Sequence, residues 1–313
     1  KEPPSVAYSR PDLPEGQKYK YRPVHGIPYP PSILQPKVDE CRRRFVPKED
    51  DVFVTTYPKC GTTVLQQIML LLLRDGKKDG IDLGMTGDQT PWIEQVASGR
   101  DPPKDLAWLD TLPTRRVIKT HAPRHLFPAV PGWRGQVCET PGARLVVICR
   151  NPRDAAVSMY HHSRDKTVFE FADGTWDTFF NLFLEGRVES GCFFAWHRAW
   201  WAAAKSDPQR ILWVHYEDLV SEPYDTILTI ARHCGLGLLP SGEVDAALIE
   251  RVVEGSSFSQ MKAQHQDKAP NNHFRKGGSG GWREYFSRKQ LADMDAKCAA
   301  VLGGGGVEFK YGA

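Results

Sequence analysis

Short apolar, β-branched runs alternate with longer stretches of helical periodicity from about residue 52 of this chain. Runs at 52–56, 116–119, 145–149 and 211–215 predict strands. Stretches at 62–74, 152–162, 176–185, 192–205, 221–234, 244–254 and 289–302 predict helices. Such alternation predicts an α/β fold, a single domain with a central parallel sheet flanked by helices. Ligands of these sheets sit beyond the carboxyl ends of the strands. Ahead of the pattern, the first 36 residues hold nine prolines and no signal-peptide core. Residues 1–44 are therefore expected to form an extended, proline-rich arm packed on the domain made by 45–313.

Composition narrows the partners. At 313 residues and 41% hydrophobic, the chain can bury a substantial core. A net charge of +3 gives no ground for wholesale nucleic-acid binding, so its basic residues must act locally, in a pocket. No apolar run reaches the length of a membrane span, and no membrane association is expected. The seven cysteines are scattered and include no C-x-x-C pair. That fits neither a disulfide framework nor a metal site, and a reducing compartment, the cytoplasm, is expected.

The first predicted strand runs into Tyr57-Pro58-Lys59-Cys60-Gly61-Thr62-Thr63, and a long apolar helix follows. A helix N-terminus offers unpaired N–H groups and the positive end of a dipole, which attract phosphate. Gly61 lets the backbone approach an anion, Lys59 adds a cation, and Thr62 and Thr63 add hydroxyls. The loop is not a Walker loop: its lysine precedes the glycine, and the strand at 145–149 runs into Arg150 rather than a metal-holding aspartate. A phosphate-bearing ligand held by basic residues without a metal is expected.

Three further clusters fall at predicted strand ends or in loops. In Lys119-Thr120-His121, strand alternation puts the cation and the imidazole on one side. That pair suits stabilising negative charge and accepting a proton. In Arg150-Asn151-Pro152-Arg153-Asp154, Pro152 suits the first helical position and Asp154 the helix N-terminus, while Arg150 can reach a second phosphate. Ser158, one turn on, can add a hydroxyl. Phe274-Arg275-Lys276-Gly277, opening a glycine-rich run, suits a loop wrapped around an anion. A solvated loop or a strand-end histidine is the bland alternative for each cluster alone.

Together these segments resemble the cytosolic sulfotransferase family. The resemblance rests on Tyr57-Pro58-Lys59-x-Gly61-Thr62-Thr63, Lys119-Thr120-His121, Arg150-Asn151-Pro152-x-Asp154, Gly174-Thr175-Trp176, Tyr216-Glu217-Asp218, Ser257-Phe258 and Arg275-Lys276-Gly277-x-x-Gly280-x-Trp282, in the family's order. It implies transfer of a sulfuryl group from 3′-phosphoadenosine 5′-phosphosulfate (PAPS) to a small acceptor, leaving adenosine 3′,5′-bisphosphate (PAP). It implies Lys59, Gly61, Thr62 and Thr63 at the 5′-phosphosulfate, with Cys60 and Val64 in the same loop. Arg150, Ser158, Arg275, Lys276 and Gly277, with Phe274 beside them, would hold the 3′-phosphate. Tyr216, Ser256 and Phe258 would surround the adenine. His121 would take the acceptor's proton, and Lys59, Lys119 and Ser158 would complete the catalytic group.

The chain departs from the family pattern in places. Cys60 replaces a usual serine. Beside Lys59 at a helix N-terminus its thiol is expected either to ionise readily or, if buried, to be inert. Val64 replaces a tryptophan that stacks on adenine, a loss of about 1–3 kcal/mol if uncompensated. Gly281 stands for a common aspartate, and the segment before Arg275 is short and lacks the pattern tied to family dimers. A monomer or a weak homodimer is expected. Trp92, Phe127 and Phe171 are candidate walls of an acceptor pocket suited to a phenol or a catecholamine such as dopamine. Glu170 or Asp173 could attract an amine. The competing readings are a small-molecule kinase using Mg-ATP and a non-catalytic nucleotide-binding protein; the second has no use for His121 beside Lys119.

Overall fold

The computed structural model of the chain describes residues 6–82, 88–96, 104–127, 142–265 and 277–311. Three short strands, β1 (Ala7–Tyr8), β2 (Lys20–Val24) and β3 (Ile27–Tyr29), form an antiparallel sheet in that order. Helix α1 (Gln35–Arg44) follows, with Pro36 in its first turn, where a missing N–H costs nothing. It corrects the expectation of an extended arm through residue 44. Strand β4 (Val52–Thr56) is buried at every position. After it come α2 (Thr62–Leu73), α3 (Leu106–Thr111), β5 (Val117–Thr120), β6 (Arg144–Cys149), α4 (Pro152–Asp165), α5 (Trp176–Glu185) and α6 (Phe193–Ser206). The chain continues through β7 (Ile211–His215), α7 (Tyr216–Ser221), α8 (Pro223–Cys234), α9 (Ala246–Gly255), α10 (Phe258–His265) and α11 (Arg288–Leu302).

The four longer strands pair in parallel in the order β5-β4-β6-β7. The α/β fold with a central parallel sheet therefore holds. The predicted strands were placed within a residue at each end, and α3, α7 and α10 are additions to the predicted helices. Register explains the site. Thr55 lies opposite both Thr120 of β5 and Val147 of β6, so all three strands end at one level. The loop after β4 thus emerges between Lys119–His121 on one side and Arg150 on the other. Leu65, Ile68, Met69 and Leu71 of α2 are buried in the core that the sheet shares, which fixes the helix whose N-terminus faces this edge. Among the described residues no helix is long and apolar enough to cross a membrane.

Candidate active site

Gly61 caps α2 in the left-handed region, at φ 112°, and no side chain caps the helix. Any Cβ here would sit 2.8 Å from Cδ2 of Tyr216. Only glycine meets both demands, and the N-terminus of α2 that follows has the dipole end that attracts an anion. Lys59 also has a positive φ, 69°, a strained setting for a side chain that is retained at functional sites. Burial first, then Arg150 and Lys166, push its ammonium down to about 8. Arg150 bridges this loop and the glycine-rich one: Nη1 donates to the Lys59 carbonyl at 2.9 Å and Nη2 to the Gly278 carbonyl at 3.0 Å. Its guanidinium lies 4.3 Å over the Tyr216 ring. Its Nε is buried and lacks a hydrogen-bond partner among the described residues. A desolvated guanidinium with a spare donor is a seat for an anion.

The opposite wall belongs to His121. Its Nδ1 lies 2.8 Å from the Thr56 carbonyl and 3.2 Å from the Thr56 hydroxyl, which is itself 2.7 Å from the Thr62 hydroxyl. A carbonyl only accepts, so Nδ1 carries the proton and Nε2 keeps its lone pair. The backbone is clamped as well. Glu94 accepts from the His121 N–H at 2.8 Å and from the Thr120 hydroxyl at 3.0 Å, and Trp196 Nε1 donates to the His121 carbonyl at 3.1 Å. Burial, then Lys119, lower the His121 imidazole to about 3, so it is neutral at physiological pH. Trp92 joins the two groups, its ring 5.2 Å from the His121 ring and 4.7 Å from Lys119 Nζ. Burial raises Glu94 to about 7.

Asp154, at the start of α4, ties the glycine-rich loop to the sheet. Its Oδ2 accepts from Gly280 N at 2.7 Å and from Ser279 Oγ at 3.2 Å, and its Oδ1 from Trp282 N at 3.1 Å. These bonds set Gly277 and Gly278 beside Arg150. Phe258, one of the proposed adenine contacts, packs where a side chain on Gly277 would stand. Phe274, Arg275 and Lys276 lie outside the described residues.

Phe127 and Phe171 are core, 2% and 0% exposed. Phe127 packs on Phe53 and Trp200, and Phe171 on Tyr19 and Phe179, because aromatic surface of that size is more stable among aromatic neighbours than facing water. Cys60 is fully buried, and desolvation raises its thiol above the ordinary range despite Arg150 and Lys59. This burial fits the inert thiol of the two alternatives. Glu170 is paired with Tyr8 and Lys20 of the arm. The Ser256 hydroxyl donates to the Val252 carbonyl at 2.7 Å. Ser158, Thr63 and Val64 are partly buried on their helices. Sequence reading passed over Thr56 and Glu94. Thr56 acts through a backbone carbonyl, which no residue type announces. Glu94 carried a signal, an acid inside the apolar run Trp92-Ile93-Glu94-Gln95-Val96.

A family model described as the sulfotransferase domain matches residues 49–306. Dog sulfotransferase 1A1 is 30% identical over 310 residues, covering 96% of this chain and 98% of that one. Rabbit sulfotransferase 1C2 is 27% identical over 307 residues, covering 94% and 96%. Among solved structures, mouse sulfotransferase SULT7A1 complexed with PAP superposes with a TM-score of 0.69 at 26% identity, covering 89% of this chain and 93% of that one. Retinol dehydratase in a complex with retinol and PAP shares the fold, with a TM-score of 0.71 at 22% identity over 98% of each chain.

Proposed function

This chain belongs to the sulfotransferase domain family, and on that premise we propose that it transfers a sulfuryl group from PAPS to the hydroxyl of a small acceptor, a phenol or a catecholamine, with His121 as general base. The observation that carries the reading is the His121 tautomer: a ring locked by Thr56, with its unprotonated Nε2 left over beside Lys119. The residues fit the donor. Arg150 has a buried donor to spare, and Gly61 leaves a cradle under Tyr216 that a side chain would fill. Lys59, Thr62, Thr63 and the N–H groups of α2 would hold its 5′ end. Arg150 with Gly277, Arg275 and Lys276 would hold its 3′-phosphate, and Tyr216 and Phe258 its adenine. Bound PAPS supplies an electrophilic sulfur, a leaving phosphate and negative charge near Lys59 and Lys119.

The chain's own groups then do the rest. Burial, then Lys119 and Lys59, depress His121. Neutralising them by an anion raises its basicity, and Nε2 takes the acceptor's proton. Glu94 and Trp196 hold His121 against recoil, so little reorganisation is needed as charge develops. Trp92 gives a flat acceptor a wall beside both groups. Assignment to the cytoplasm and to a monomer or weak homodimer belongs to the same proposal.

The test is labelled-sulfuryl transfer together with thermal stabilisation by PAP. His121→Ala should lower kcat by about 10²–10⁴-fold while PAP still stabilises the protein. A variant that keeps most of its kcat removes His121 from the reaction. Stabilisation of the wild type by Mg-ATP but not by PAP would instead support a kinase.

A further inference from the structure

The side chain of Thr56 sits between the two halves of the site, and the reaction above uses only its carbonyl. Thr56 is the last residue of β4 and is fully buried. Thr55 pairs with Thr120, so the next residue along each strand brings Thr56 beside His121. The loop at 57–61 then turns back, and Thr62, the first residue of α2, meets the Thr56 hydroxyl at 2.7 Å. The same hydroxyl oxygen is 3.2 Å from His121 Nδ1.

The directions of these bonds follow from counting protons. His121 Nδ1 donates to the Thr56 carbonyl at 2.8 Å, with the Thr56 hydroxyl oxygen as a second, weaker acceptor at 3.2 Å. A protonated Nδ1 cannot accept. The Thr56 hydroxyl proton therefore has one acceptor left among the described residues, the Thr62 oxygen. Were Thr62 to donate instead, Thr56 would keep an unpaired donor at a position with no exposure, which is destabilising. So Thr56 donates and Thr62 accepts. The Thr62 hydroxyl proton is then left over, and no other partner takes it among the described residues. Thr62 is 9% exposed and stands beside Gly61, so this proton is available at the helix end that draws an anion.

We propose that Thr56 is a positioning residue whose hydroxyl links the donor cradle to the general base. An anion at α2 accepts from Thr62, Thr62 accepts from Thr56, and Thr56 accepts from His121 Nδ1. The inference rests on the sulfotransferase reading and adds a residue to its machinery. With an anion at the far end every proton in the chain has its place, and each bond polarises the next. The same order keeps the proton on Nδ1, so donor binding reinforces Nε2 as the bare nitrogen that takes the acceptor's proton. Reversal would need Nδ1 without a proton, which the Thr56 carbonyl opposes. Thr56 works through its two neighbours and needs no contact with either substrate.

Thr56→Val keeps the shape and the backbone carbonyl and removes only the hydroxyl, and Thr56→Ser restores it. At saturating PAPS, labelled-sulfuryl transfer should show kcat lowered about tenfold in Thr56→Val but within about threefold of wild type in Thr56→Ser. Thr62→Val should lose a similar factor or more, and the double variant should lose no more than the worse single one. Losses that multiply mean that the two hydroxyls act separately, and they overturn the proposal. A Thr56→Val enzyme within about threefold of wild type overturns it too, as does a Thr56→Ser enzyme as slow as Thr56→Val, which would make the residue a packing group. A second readout requires no turnover. The buried Nδ1 proton should give a low-field proton resonance, absent from His121→Ala, that saturating PAP shifts in wild type. In Thr62→Val, which leaves every contact of His121 intact, the shift should fall to about half or less. This measurement decides if Thr56→Val does not fold, and an undiminished shift in Thr62→Val overturns the link. Each of these failures leaves the sulfotransferase reading standing if PAP still raises the melting temperature of the wild type. A wild type that PAP does not stabilise sinks that reading and this inference with it.

Discussion

Lys59 carries a titration that two measurements should read with opposite signs. Its ammonium sits near 8 in the fold against 10.5 in an ordinary lysine. Between those values the unfolded chain holds a proton that folded Lys59 has lost, so its contribution to stability rises with pH across the window. Nucleotide binding runs the other way, because anions favour the charged amine. PAP affinity should be greatest below about pH 8 and fall above it, by up to about tenfold per pH unit. Titration calorimetry from about pH 7 to 9.5 checks this, and Lys59→Arg, charged throughout, should flatten the curve. A wild-type affinity that does not fall above 8 removes Lys59 from the anion site. At this scale, charged residues beside glycine and threonine were legible because phosphate chemistry demands them in one short loop. Phe127 and Phe171 were not, since an aromatic residue reads alike whether it lines a pocket or fills a core.

Helix α4 shows how an element carries a site. Asn151 caps it, accepting from Arg153 N at 2.8 Å, and Pro152 starts it. The next acid, Asp154, has turned its carboxylate from the helix's own N–H groups to the loop at 279–282. It is 5% exposed and accepts backbone bonds from Gly280 and Trp282, so removing it leaves buried donors unpaired. Asp154→Ala should cost about 2–4 kcal/mol, at roughly 1–3 kcal/mol for each charge-assisted bond lost. Urea unfolding checks the cost. Because the loop sets Gly278 against Arg150, PAP should stabilise the variant less than wild type. Unchanged PAP stabilisation would separate the loop from the nucleotide site. The long elements were legible from their periodicity. Helix α7 was not, because its six residues follow β7 directly and leave no room for an apolar stripe. The α1 segment Gln35–Arg44 hid behind a polar, basic composition, and only Val38 and Cys41 of it are buried.

For the whole molecule, the loops at the ends of the parallel sheet carry the proposed donor site, while the arm packs against the chain at 169–191. Tyr19 is fully buried, its ring stacked on Phe169 at 5.1 Å and edge-on to Phe171 at 5.7 Å, and its hydroxyl accepts from Glu189 N. The nine prolines foretold an extended course, but not that two tyrosines, Tyr19 and Tyr29, would be drawn into the interior. Tyr19 is buried by the distant Phe169 and Phe171, and Tyr29 by a cluster that includes Ala122 and Leu126, so no local pattern encodes either. The division of labour has a consequence. Tyr19→Phe keeps the packing and removes the bond to Glu189 N, at a cost of about 1–3 kcal/mol for a buried N–H left unpaired. Tyr19→Ala removes the ring as well and should cost about 3–5 kcal/mol. In both, PAP should still raise the melting temperature, since Lys59, Arg150 and Tyr216 are untouched. On the reading that the arm borders the acceptor pocket, the acceptor KM should rise, more in Tyr19→Ala than in Tyr19→Phe. Measuring KM for acceptor and for PAPS in the same preparations separates the two sides. A matched rise in both constants would mean that the arm supports the fold as a whole and does not belong to the acceptor pocket.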